Sequence, residues 1–182
     1  PHASLWPMVN FLNVQVGVKT ARIMAALRLF QGEQTEAFEI LGSCARLGQM
    51  MSQDGDLLSA LVGTALLAIS SGGLEIYMLN ACETEEAFRE LWALLEELEN
   101  KQAEPTTATM MALEAPTSLN QSGGYREMFF DSVTRTRIAH SRFDLLRMAG
   151  AVRYRFLFEG GFPSTNGEFG PLLPDGPPRD IF

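Results

Sequence analysis

The residues of this chain best suited to chemistry are arginines. Arg135, Arg142 and Arg153 stand seven and eleven residues apart, steps that return to one helical face within about 20°. Guanidinium forks on a shared face can grip carboxylate or phosphate, so the three form a candidate anion- or partner-binding face. The competing reading is structural. Seven of the fourteen basic residues are arginines between 126 and 155, while residues 83–104 hold eight glutamates. Two segments of opposite sign are expected to lie together and neutralise each other in part, and this reading leads because ion pairing is the common fate of such side chains.

Other chemistry finds less support. His140 adjoins Ser141, but neighbouring helical residues point in different directions, so no triad follows from the pair. Cys44 and Cys82, with His2 and His140, show no metal-ligand spacing, and neither a metal site nor a cofactor is expected. Cys44 falls in the apolar row Ile40, Cys44, Leu47, Met51, which suits a small buried hydrophobe better than a disulfide partner. Gly72-Gly73, Gly123-Gly124 and Gly160-Gly161 follow no strand signal and make no phosphate loop. No nucleophile elbow and no Glu-x-x-His pattern occur. These absences favour a non-catalytic role and assign no catalytic residue.

With 182 residues, 46% apolar and 20% charged, the chain can build a core without staples. Its net charge of −8 argues against nucleic acid or an anionic membrane surface as the main partner. A protein partner or a second copy of the chain fits better.

The elements that must carry the arginines read as helices throughout. Val9, Leu12, Val16, Ile23, Leu27 and Phe30 recur at helical steps and predict a helix over about 8–31, with Pro7 in its first turn and Gly32 ending it. A second helix runs from Gln34 to about Gln53, antiparallel to the first across a short turn. Asp54-Gly55-Asp56 then turns the chain into a third helix over about 56–80. Leu57 to Leu74 is free of charge for eighteen residues, long enough to raise a membrane span. Its serines, threonine and glycines favour a central core helix instead. Ala60, Thr64, Ala68 and Gly72 recur every fourth residue, a row that lets helix backbones approach closely, and Gly72-Gly73 is a place for a kink.

Thr84 caps a fourth helix, about 84–102, with Phe88, Leu91, Leu95 and Leu98 turned inward and Glu86, Glu90 and Glu97 outward, Glu97 reaching Lys101. A short helix can follow over 105–113, then a loop from Thr117 to Gly124. The last helix, about 125–159, has two apolar stripes: Ile138, Leu145, Ala149, Val152, Phe156 and, on another side, Phe129, Val133, Phe143, Tyr154, Phe158. Two stripes predict a helix clasped from both flanks; the alternative is one stripe left open for a partner. Residues 160–182, ten of which are Gly or Pro, read as an irregular tail pinned by Phe162, Phe169, Leu172, Leu173, Ile181 and Phe182 to the helical domain of residues 1–159.

The junction from Ala26 to Phe38, with Gly32 at the turn and Ala37 after it, resembles a tetratricopeptide hairpin. The order of hairpin, Asp-Gly-Asp turn and Leu57-Leu58-x-x-Leu61-Val62-Gly63 resembles a group of uncharacterised, envelope-associated bacterial proteins. Their ending matches Tyr154, Phe158, Gly161-Phe162-Pro163 and Leu173-Pro174-Asp175 here, and is similar to the region after the long helix of type II secretion pseudopilins. The methylated N-terminal segment of pseudopilins has no counterpart, and the long helix comes last. The resemblance implies envelope or periplasmic association and continuation past Asp180-Ile181-Phe182, and implies no catalysis; the start at Pro1 without a methionine gives the further expectation of a signal or anchor upstream. The fold expected is all-α: antiparallel helical hairpins, tetratricopeptide-like or an irregular bundle. The function expected is protein interaction or scaffolding. The runner-up is a small-ligand binder or enzyme with an arginine-lined cavity.

Overall fold

A computed structural model of the chain describes residues 11–53, 57–100 and 123–162. Among them every element is helical: α1 Phe11–Phe30, α2 Gln34–Ser52, α3 Leu57–Asn80, α4 Glu85–Asn100 and α5 Gly123–Tyr154, with α5 continuing as a single π-helical turn, Arg155–Glu159. The protein is all-α. The expected short helix at 105–113, the Asp54-Gly55-Asp56 turn, Pro7 and the tail beyond Phe162 lie outside the described residues.

Local chemistry sets the helix ends. Gly32 takes φ +82°, where a Cβ would be strained. It lets its own N–H donate to the Leu29 carbonyl and the Glu33 N–H donate to Arg28, a Schellman closure that satisfies the last carbonyls of α1. Arg28 also reaches forward to Glu33 at 2.5 Å and to Glu36 at 3.3 Å, tying the first turn of α2 to the end of α1. At the start of α4 the Thr84 hydroxyl accepts from the Ala87 N–H at 3.2 Å, as a cap at that position requires.

α3 is the centre of the bundle and packs on α1, α2 and α5. It is long and apolar enough, over Ser59–Asn80, to cross a membrane, and slightly over half of its most apolar stretch is buried inside the fold. Val62, Leu66, Leu67, Leu74, Tyr77 and Met78 all turn inward. The glycine pair does not break the helix, which runs on through Gly72-Gly73 to Asn80. Among the described glycines, Gly63 makes the tightest approach to a neighbouring helix. A Cβ there would stand 2.2 Å from the Ser52 nitrogen and 2.7 Å from the Gly48 carbonyl oxygen, so the α2 and α3 backbones touch. The expected small-residue row runs one position aside, and its Gly72 meets Arg22 of α1 instead.

Two stripes face differently from expectation. On α1 the covered residues are Val18 and Ala25, with Val14, Ala21 and Leu29 partly covered against the core. Leu12, Val16, Ile23, Leu27 and Phe30 face outward. α1 is apolar nearly all round, and its smaller residues take the inner side because they let the helix lie close to α3. On α5, Ala139, Phe143, Leu146 and Ala151 are buried, while Ile138, Leu145 and Phe156 are exposed. The expectation of a helix clasped on both flanks is therefore overturned: α3 and α4 cover one flank, and the other stripe is open.

The far end of α5 is held by aromatic rings. Phe88 of α4 meets Tyr154 edge-on at 5.6 Å and Phe158 edge-on at 6.0 Å, with Trp92 at 5.5 Å. Such pairs contribute about 0.5–1.5 kcal/mol each beyond their burial.

Candidate functional site

The open flank of α5 borders a groove of about 440 Å³ whose floor is α3. Ser71, Gly72, Glu75, Met78 and Leu79 come from α3; Arg142, Leu145, Leu146 and Ala149 come from α5. Each set recurs at steps of three and four residues, so each helix contributes one face to the trough between them. Gly150 makes their approach possible, since a Cβ there would stand 2.8 Å from Trp92 Cη2 and 3.2 Å from Met78 Sδ. From the α1 side, the Arg22 guanidinium lies over Gly72, its Nη1 3.6 Å from where a Cβ would stand.

The walls are apolar and the charges few. Leu145 and Leu79 are 62% and 49% exposed. Among the described residues neither Arg142 nor Glu75 makes an ion pair, although both line the groove. The Ser71 hydroxyl donates to the Ala68 carbonyl at 3.0 Å and so is already engaged. This arrangement can seat an apolar ridge and grip one anionic group.

The three arginines singled out by spacing do not converge. They share a helix, but Arg135 and Arg153 are roughly 27 Å apart along its axis. Arg142 alone lines the groove. Arg135 is exposed towards the start of α5. Arg153 is half-buried at the other end, its Nε without a hydrogen-bond partner among the described residues, and its charge acts on the Cys82 thiol. His140 lies on α5, its side chain outside what is described. Spacing alone did not single out Glu75, yet it is the lone charge of α3, a signal the sequence carried. Arg22 was signalled only by Gly72 opposite it.

Opposite-sign pairing between α4 and α5 does occur, through Arg147 and Glu99. Glu97, part-exposed, pairs with Arg46 of α2, whose Nε and Nη2 donate to it at 3.0 and 2.8 Å; Lys101, its expected partner, lies outside the described residues. Asp144 is held above the ordinary carboxylate range by burial, with Arg147 opposing. Cys44 and Cys82 are both buried and unpaired. Burial pushes the Cys82 thiol up to about 12, with Arg153 drawing it back, and raises Cys44 as well. Such thiols are inert as nucleophiles at neutral pH. No cluster of metal-ligating side chains occurs among the described residues.

Fold and groove together define an all-α protein with an open, largely apolar trough. Comparison with protein-family models, with curated proteins and with solved structures finds no match, so the resemblances drawn from the sequence gain no support there.

Proposed function

We propose that this chain is a non-catalytic helical interaction protein built from antiparallel hairpins, and that its α3–α5 groove seats an amphipathic helix from a partner protein. The observation that carries the reading is the open stripe Ile138, Leu145, Phe156 beside an apolar trough with an uncommitted Arg142. A helix laid in such a trough anchors through residues at i, i+3, i+4 and i+7, and a carboxylate on its flank would meet Arg142. The hairpin reading is supported by level-by-level pairing: Glu99 with Arg147, Trp92 with Gly150, Phe88 with Tyr154, α4 descending as α5 ascends. The same reading makes α3 a core helix, covered by its neighbours, in preference to a membrane span.

The test places a photoreactive benzophenone side chain at Leu145, with Glu39 on exposed α2 surface as control, in the native host. A discrete protein adduct at Leu145, absent at Glu39 and lost on adding Arg142→Glu, is expected. No adduct, or equal adducts at both positions, would overturn the proposal. A second reading, a small anionic ligand held by Arg142, predicts instead a thermal shift with phosphate or dicarboxylates that Arg142→Gln abolishes.

A further inference from the structure

α1 is covered on the side of Val18 and Ala25, and its opposite side is bare. Leu12, Val16, Ile23, Leu27 and Phe30 are 67%, 53%, 70%, 55% and 90% exposed. Their steps of four, seven, four and three residues return them to one line, about 150° round the helix from the covered side. The seam is about 27 Å long. Lys19 is the one charge set into it, and α1 holds no carboxylate from Phe11 to Phe30. A seam of near-heptad spacing aimed away from its own fold is built for another helix.

We infer that the occupant is α1 of a second copy, packed antiparallel across a two-fold axis that crosses the exposed seam at the level of Ala21. This inference rests on a different face from the groove and does not depend on it. Inversion about Ala21 sets Leu12 opposite Phe30 of the second copy, Val16 opposite Ala26 with Leu27 beside it, and Lys19 opposite Ile23. Each bulky side chain meets a smaller one or an alkyl stem. The two Lys19 residues stand offset by about 6 Å along the axis and reach solvent from opposite edges. A parallel pair would stack Lys19 on Lys19 and Phe30 on Phe30, with no acid on α1 to relieve the first contact. A two-fold pairing is closed, so it stops at a dimer. At these exposures the seam offers on the order of 500 Å² per copy, about 1,000 Å² in all, the lower bound for a specific interface. An interface at that bound belongs with weak, reversible contacts, so the micromolar range is the one to search.

Sedimentation velocity on the full chain, from about 1 to 200 μM to bracket that range, is expected to show the mass rising to twice that of one chain. Ile23→Lys, which sets a lysine opposite Lys19 of the second copy, with unchanged helical circular dichroism, weakens association at least tenfold; Phe30→Ser serves as the second variant should the first misfold. Oxidation of a Leu12→Cys and Phe30→Cys mixture links the two different variants, and neither links to itself. The buried native thiols give no background. A wild-type chain that stays monomeric at the top concentration, a dimer indifferent to both substitutions, or Leu12→Cys chains linked to each other would overturn the inference.

Discussion

Replacing Gly63 with alanine tests the packing at the heart of the bundle. The added methyl would stand 2.2 Å from the Ser52 nitrogen and 2.7 Å from the Gly48 carbonyl oxygen. Both obstacles are backbone, so no side chain can rotate to make room, and α2 and α3 must separate. Overpacking of this kind costs about 1–3 kcal/mol, more when the neighbours cannot yield. Against it stands the helix-propensity gain of alanine over glycine, about 1 kcal/mol. The expected net loss is about 2 kcal/mol, or roughly 4–8 °C in Tm for a chain of this size. Gly72→Ala is the internal control. It lies on the same helix, but its methyl would meet only Arg22, at 3.6 Å, an ordinary contact. There the propensity term wins, and the variant gains about 0.5–1 kcal/mol. Urea unfolding followed by circular dichroism at 222 nm, with unchanged slope, measures both. A Gly63→Ala protein as stable as the parent, or two variants equally destabilised, would refute the close approach of α2 and α3.

Phe88→Ala removes the ring shared by Trp92, Tyr154 and Phe158 and is expected to lose about 3–5 kcal/mol by urea titration, with a red-shifted Trp92 emission. Glu97→Gln breaks a bidentate but solvent-reached pair with Arg46, so the loss should stay under about 1 kcal/mol and shrink in high salt. The native protein should leave a disulfide-exchange reagent unreacted at pH 8 until denaturant is added, because both thiols are buried. Tyr77 and Cys82 are pushed up to about 12 by burial. Their folded pKa values exceed the unfolded ones, so the folded state binds more protons there, and stability should fall as pH rises from about 9 towards 12; urea midpoints across that window check the sign.

Helix identity was legible because punctuation and periodicity agreed. Gly32 and Thr84 mark ends that the backbone realises as a Schellman closure and a hydroxyl cap. Which side of a helix faces inward was legible only where one side is polar. α4 alternates glutamates with leucines, and Phe88, Leu91, Leu95 and Leu98 are buried as read. α1 is apolar on most of its circumference, so periodicity could find a stripe but not rank it. Packing distance ranked it, giving the inner side to Val18, Ala21 and Ala25. On α5 Phe143 is buried and Ile138, Leu145 and Phe156 are exposed, but Val152 of the exposed stripe packs against Ala151 and Phe158 of the other is itself exposed, because the number of neighbours available to cover a stripe is a property of the whole bundle. The arginine face suffered from the same limit: angle round a helix follows from spacing, while convergence needs a second element, and only Arg142 has one.

α3 carries one more consequence. The hydroxyls of Ser70 and Ser71 each donate to a carbonyl of their own helix, so these two hydrogen bonds travel with α3 wherever it sits. The longitudinal setting of α3 among its neighbours is marked by relief, with notches at Gly48, Gly63 and Gly73 received by backbone and by Leu41. Filling one notch would do more than subtract free energy: it would invite the rod to slide by a turn to the next place where the contours interlock.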